Sequence, residues 1–315
     1  MNKCWMRVLK IILKQNLGSK ARIITFGDNW PNEDLSIKVN INKYMSPVKD
    51  SCLITIQNLT YYQIVQIMTG KFYSVEVVCG YRYGNQFTVF KGGILRISNT
   101  LNDDRTNTVN ILCGSDLIAR YSQNSLNFNL NSGINVYSAI KFMAKMSGVK
   151  DADLNISTQF KKQVIQDNSS SNDTLGSFLS NLGNTNSSYI MNSDASNGST
   201  FSIFDARKSN NRVITLKDVN FIGGYPSLTS EGLQFSILPS FNFMCGDVVI
   251  VDNSLITLEN ITSQSQISEQ PGMYLDKNGA YMILEIKYTL QNRGSGFTCT
   301  IYSRARSLIS NYIGV

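Results

Sequence analysis

Acids and bases crowd together in the run Asn102-Asp103-Asp104-Arg105, and a second polar run, Gln291-Asn292-Arg293-Gly294, closes a similar segment downstream. Adjacent carboxylates suggest cation binding, yet a calcium or magnesium site needs more converging oxygens than these runs offer. Solvated turn chemistry is the plainer reading. The alternative is that the two tips meet a neighbouring subunit or line a channel. Covalent and acid–base chemistry finds little material. The chain has no histidine, so Ser-His-Asp and Cys-His nucleophiles lack their base and most zinc enzymes would lack a ligand. A carboxylate-pair glycosidase is formally possible, but no pair of acids is singled out. The six cysteines, Cys4, Cys52, Cys79, Cys113, Cys245 and Cys299, are scattered without a Cys-x-x-Cys. Cys52, Cys79, Cys113 and Cys299 lie in apolar, strand-like runs. That pattern marks reduced, buried, small hydrophobes of a chain folded in cytosol rather than a disulfide framework. Gly92-Gly93 and Gly223-Gly224 lack the strand, helix and lysine context of a phosphate cradle and read as turn glycines. The aromatic set Tyr61, Tyr62, Phe72, Tyr73, Tyr81, Tyr83, Phe87 and Phe90 could stack bases or sugars. Spread over alternating strands, it reads first as core and interface. These residues predict no catalytic, metal or cofactor site.

What must position the two polar runs is one β-hairpin written twice. Residues 94–113 read ILRISNTLNDDRTNTVNILC, and residues 283–302 read ILEIKYTLQNRGSGFTCTIY. Both begin Ile-Leu-x-Ile (Ile94, Leu95, Ile97; Ile283, Leu284, Ile286) and reach Thr-Leu before the polar turn (Thr100, Leu101; Thr289, Leu290). Both return through alternating apolar positions (Val109, Ile111, Cys113; Phe297, Cys299, Ile301). Alternation is generic to strands, so a chance likeness of two amphipathic hairpins is the competing explanation. A true duplication would make the chain pseudo-symmetric, and three such chains would present six similar units.

At 315 residues the chain is expected to hold two or three domains. Charged residues make up only 16%, against about 25% in typical domains. The polar share falls instead to Asn, Ser and Thr, which suits strands joined by polar turns. Six of the seven net positive charges precede the first acid, Asp28, so the body is not a broad basic surface for nucleic acid. In that basic segment Trp5, Val8, Leu9, Ile12 and Leu13 fall at helical spacing, while Met6 to Leu9 also reads as a strand. A folded element, a partner-binding arm and a membrane-surface helix all stand as readings. Lysines interrupt its apolar run, which argues against a secretory signal, and no apolar run is long enough to span a bilayer. Residues 22–113 alternate like strands, with a short helix over 61–68 capped by Thr60 and closed at Gly70. Gly84-Asn85 marks a hairpin turn. Residues 114–210 change character. Helices are predicted over 135–146 and 173–182, the second capped by Asn172 and striped by Leu175, Phe178, Leu179 and Leu182. A loop at 167–171 separates them, and a hairpin turns near 196–198. Residues 211–315 return to strands at 213–216, 233–237 and 248–251. The expected fold is mainly β with a small α/β module, divided 1–113, 114–210 and 211–315.

Several segments follow one another in a telling order. The first part holds Trp30-Pro31-Asn32-Glu33-Asp34-Leu35-Ser36-Ile37, Ile56-Gln57-Asn58-Leu59, Cys79-Gly80-Tyr81 and Phe90-Lys91-Gly92-Gly93-Ile94. The last part holds Gly224-Tyr225-Pro226, Met244-Cys245-Gly246-Asp247, Gly272-Met273-Tyr274 and the hairpin from Ile283. Over most of residues 22–304 this order resembles the baseplate hub proteins of tailed bacteriophages, those related to the hub of contractile tails. Asn292-Arg293-Gly294 departs from the acidic, glycine-rich final turn common in that family. The resemblance implies two tail-tube-like β-barrel domains flanking the α/β insert. It further implies a homotrimer of pseudo-sixfold symmetry that joins the hexameric tail tube protein to the trimeric central spike protein, with DNA passing through its lumen. Such a protein folds and assembles in the host cytoplasm and resides in the tail baseplate of the virion. No enzyme activity, cofactor or stable membrane association is implied. The candidate interface or channel residues are the hairpin tips Asn102, Asp103, Asp104, Arg105, Gln291, Asn292 and Arg293. The rival readings are a host-surface or carbohydrate-binding tail protein that uses the aromatic cluster, and a tail-associated cell-wall hydrolase.

Overall fold

Apolar residues at every second position make strands that bury one face, and most of this chain is built that way. The computed structural model describes residues 6–15, 22–27, 35–45, 50–101, 106–114, 126–146, 154–156, 158–165, 169–173, 189–194, 200–205, 212–229, 232–258 and 274–306. The first block holds β1 (Arg7–Lys14), β2 (Ile23–Phe26), β3 (Ser36–Tyr44), β4 (Ser51–Gln57), α1 (Tyr61–Thr69), β5 (Ser74–Tyr81), β6 (Gln86–Leu101) and β7 (Asn107–Gly114). A middle block holds β8 (Leu126–Leu130), α2 (Val136–Met146), β9 (Leu154–Ile156), β10 (Ser169–Asp173), β11 (Tyr189–Asp194) and β12 (Thr200–Asp205). The last holds β13 (Val213–Thr215), β14 (Ser227–Thr229), β15 (Gly232–Ile237), β16 (Val248–Ile250), β17 (Thr257–Leu258), β18 (Ala280–Gln291) and β19 (Phe297–Ala305). The outer blocks share one 14-stranded sheet, ordered β17-β14-β15-β19-β18-β3-β4-β7-β6-β5-β1-β2, with β13 and β16 branching from β18. Its pairs are antiparallel except β13–β16 and β14–β17.

Ile37, Val39 and Ile41 of β3, Cys52, Ile54 and Ile56 of β4, and Ile286, Tyr288 and Leu290 of β18 enter a single core. Full burial of such a side chain stabilises by about 1.5–3 kcal/mol. In the middle block, Val136, Ala139, Ile140, Met143 and Ala144 of α2 are buried together with Leu130, Ile156 and Phe160, and none of these joins the main cluster. The α2 stripe therefore serves a core of its own. The Asn135 carboxamide caps this helix by accepting the Ser138 amide at 3.3 Å. α1 starts as its sequence predicts: Thr60 and Gln63 form a reciprocal capping box.

Three local expectations are corrected and one open reading is settled. Of the readings left open for the basic N-terminal run, the strand is the one found, longer than Met6 to Leu9: Leu9, Ile11 and Leu13 are buried as β1 pairs with β2 and β5. Val8 and Ile12 added apolar residues to its other face and mimicked a helical stripe. Gly92 and Gly93 are not turn residues but lie inside β6, where that strand passes from partner β5 to partner β7. A Cβ on Gly92 would stand 2.3 Å from the Gly114 carbonyl oxygen, so close strand approach is what requires glycine there. The loop at 167–171 and the start of the helix at 173–182 give way to β10, which pairs with β8. The rest of that expected helix lies outside the described residues.

The last correction concerns register within the repeat. Ile97 faces Ile111 and Ile286 faces Ile301. Val109, Ile111 and Cys113 thus match Cys299, Ile301 and Ser303, because the second turn is one residue longer. The likeness then reaches well beyond the hairpins. Each copy has a leading hairpin (β3–β4; β14–β15), a strand beside the start of the long strand (β5; β16), and the long hairpin itself (β6–β7; β18–β19). β4 pairs with β7 as β15 pairs with β19. Both long strands bulge at the same place, Leu95 and Leu284, just after the first isoleucine. Along the sheet β14-β15-β19-β18 is followed by β3-β4-β7-β6, and matched strands four places apart run in the same direction. The two units are joined where the second half of β18 pairs with β3.

Candidate functional site

Strands that bury Ile, Val and Cys on one side must display their alternate residues on the other. Across both units that second face is rich in hydroxyls and amides. β3, β4 and β7 contribute Asn40, Asn42, Ser51, Thr55 and Asn110, and β15, β18 and β19 contribute Gln234, Ser236, Thr289, Thr298 and Thr300. The Thr55 hydroxyl donates to the Asn110 carboxamide oxygen at 2.9 Å, and at the matched place in the other unit Ser236 and Thr300 share a hydrogen bond of 2.9 Å. Among the described residues of this face in the two units the cations are Lys38, Lys91, Arg96, Lys287 and Arg304, and the acids are Glu76, paired across strands with Lys91, and Glu285. Lys287 pairs with Glu285 at 3.1 Å and lies over the Tyr302 ring at 4.5 Å. Partial burial opposes the Lys287 charge, but the hydrogen bond to Glu285, the Glu285 charge and the neighbouring phenols Tyr302 and Tyr44 together outweigh it and raise the ammonium pKa. Tyr44, opposite Glu285, has its phenol pushed up by burial and then by the Glu285 charge. The face is thus polar but only lightly charged.

The expected tip residues fare differently. Asn102, Asp103, Asp104 and Arg105 lie outside the described residues. Gln291 ends β18, and Arg293 is exposed beside it. Asn292 is taken up inside the chain: its carboxamide oxygen accepts the Ile37 amide at 2.8 Å, and its carboxamide nitrogen donates to the Leu35 carbonyl at 2.9 Å. The Gly294 carbonyl accepts from Arg7 at 2.7 Å, and the Arg7 guanidinium sits 5.2 Å from the Phe297 ring centre. The second tip is therefore fastened to β1 and to the start of β3. Sequence reading missed this fastening, since its partners are hundreds of residues away.

The remaining chemistry is quiet. Cys52, Cys79, Cys113, Cys245 and Cys299 are buried thiols outside any disulfide, and Cys4 lies outside the described residues. Burial pushes the Cys299 thiol up to about 12 and drives Cys79 higher still, so neither is a ready thiolate. The aromatic set divides. Phe72, Tyr81 and Phe90 are core, whereas Tyr61, Tyr62, Tyr73 and Tyr83 are exposed. Among the described residues no three acids or cysteines gather as metal ligands, and no helix is long and apolar enough to cross a membrane.

This architecture has known counterparts. The profile of a family described as baseplate hub gp41 matches residues 19–303. The chain belongs to the baseplate hub gp41 family. The hub match takes in both β units and the module between them, and it begins beyond β1. Similar solved structures include a 43 kDa tail protein of prophage MuSo2 from Shewanella oneidensis (TM-score 0.60, 11% identity, covering 95% of this chain and 98% of that one). A tail protein from Neisseria meningitidis aligns at TM-score 0.59 and 10% identity, over 98% of this chain and 99% of that one. An Escherichia coli component of the type VI secretion system, itself described as similar to the T4 tail proteins gp27 and gp5, aligns at TM-score 0.53 and 8% identity, over 87% and 75%. At such identities the likeness is one of fold. No curated protein sequence matches the chain. As a baseplate hub this is a structural component of the phage tail, and so of the virion.

Proposed function

We propose that this hub works as a homotrimer whose six β units form a pseudo-sixfold ring between the hexameric tail tube and the trimeric central spike, and that it is not an enzyme. The observation that supports this reading is the tandem repeat itself. Two units of equal strand polarity stand side by side in one sheet, which is the relation that rotation about a common axis produces. Three chains then offer sixfold-like contacts to the tube while keeping threefold symmetry for the spike. In this reading the hydroxyl- and amide-rich face lines the lumen through which DNA leaves, and the hairpin tips 102–105 and 291–293 stand at the ring's rim as contacts for neighbours. A strongly basic lumen would hold DNA through counterion release, whereas the five cations and two acids of this face give a modest pull. Mass measurement of the isolated chain and of its mixture with tube and spike components tests the proposal. Trimers are expected, with cryo-EM rings showing six similar units. A chain that stays monomeric even with those components present would refute it.

A further inference from the structure

Each repeat forks along its long strand, and the two forks are filled differently. In the second unit, one edge of β18 gives its first residues to β16 and residues 285–291 to β3. In the first unit, the matching edge of β6 gives residues 86–93 to β5, but residues 96–101 pair with no strand on that side among the described residues. The difference is visible in the side chains. Leu290 is 0% exposed, whereas Leu101, its match, is 65% exposed. A strand edge that no described strand covers, with an apolar side chain beside it, invites another strand. The opposite end of the sheet is β14, the match of β3, with the two-residue β17 alongside. Tyr225 and Leu258 are exposed there at 58% and 48%. Both β14 and β17 run antiparallel to β6, as β3 does to β18.

We infer that residues 96–101 form the seam between subunits and receive the β14–β17 end of a second copy, repeating between chains the joint that β18 and β3 make within one. The inference rests on the ring reading above and names its contact. The contact is heterologous, head to tail, so successive copies close a ring rather than a twofold pair. Within the chain, the Asn292 amide donates to the Ile37 carbonyl at 3.1 Å. Alternation puts the amides of Ile286, Tyr288 and Leu290 on that same edge, and so those of the matched Ile97, Asn99 and Leu101 on the open one.

Hydrogen exchange and mass measurement on the full chain test the seam. In the wild-type trimer the amides of Ile97, Asn99 and Leu101 should exchange at least about ten-fold more slowly than in the diluted monomer. Asn99→Pro removes an outward donor while sparing the bonds to β7, and Leu101→Glu sets a charge on the seam. Each should keep the wild-type circular dichroism yet raise the trimer dissociation constant by about ten-fold or more. Should a variant fail to fold, exchange in the wild type decides alone. A trimer in which those amides exchange as freely as in the monomer overturns the seam and leaves the ring reading standing. So do two folded variants that assemble as the wild type does. A chain that never trimerises with tube and spike components removes the ring reading and the seam together.

Discussion

Asn292 shows how much one turn residue can hold. Its carboxamide satisfies the Ile37 amide and the Leu35 carbonyl at the start of β3, at 2.8 and 2.9 Å. Asn292→Ala should destabilise the chain by about 1–3 kcal/mol, the usual result of stripping partners from half-buried backbone groups. Asn292→Asp, which keeps the acceptor, should lose less; urea denaturation compares the two. Glu76 makes a pH-dependent contribution. Partial burial alone would raise its pKa, but hydrogen bonds from Lys14 at 2.7 Å and Thr88 at 2.9 Å, with the Lys14 charge, hold it below its ordinary value of 4.5. Both partners of the ion pair are partly exposed, so the pair is worth less than about 1 kcal/mol. Because the folded pKa is the lower one, this stability is present above pH 4.5 and is lost as the pH falls through the folded value. The stability gap between wild type and Glu76→Gln, followed by urea unfolding across pH, should be full at neutrality and close in acid.

At the scale of elements, the two bulges carry the register. Leu284 lets Ile286, Tyr288 and Leu290 keep facing the core after β18 changes partner. Deleting Leu284 would turn all three toward the polar face. The cost should exceed the whole stability of an ordinary domain, about 5–15 kcal/mol, so soluble yield and the cooperative melting transition should both be lost. Thr60→Ala is a far milder change. It should cost about 1 kcal/mol at the capping box and speed hydrogen exchange in the first turn of α1. Much of this was legible in the chain. Alternation placed β3, β4, β15 and β18, and the Thr60–Gly70 punctuation placed α1. β1 stayed open between helix and strand because Val8 and Ile12 made both of its faces apolar. β10 was hidden because Ser169-Ser170-Ser171-Asn172 carries no apolar period and its strand state comes from backbone pairing with β8. The repeated hairpin was readable, but a turn longer by one residue shifted its return. The fork, the joint and the fastening by Asn292 pair residues too far apart in sequence for any local pattern to announce them.

For the whole molecule, the lightly charged face bears on the proposed passage of DNA. Asn40→Lys with Ser227→Lys changes one matched position in each unit, which would set six further cations in the proposed trimeric lumen. The hub should fold unchanged, hold DNA at higher salt than the wild type, and slow ejection from assembled particles; a salt series of DNA retention is the direct check. The joint between units has a different consequence, in time rather than space. β3 is made early, but its partner in β18 and the Asn292 carboxamide that holds Ile37 come 255 residues later. A ribosome adds about 5–20 residues each second, so β3 stands with one edge open for roughly 10–50 s. Contacts this distant also make folding slow. The yield of folded hub should therefore depend on how well the nascent chain is shielded until its last strands emerge, and a host that translates slowly or lacks spare chaperone should yield aggregate in its place.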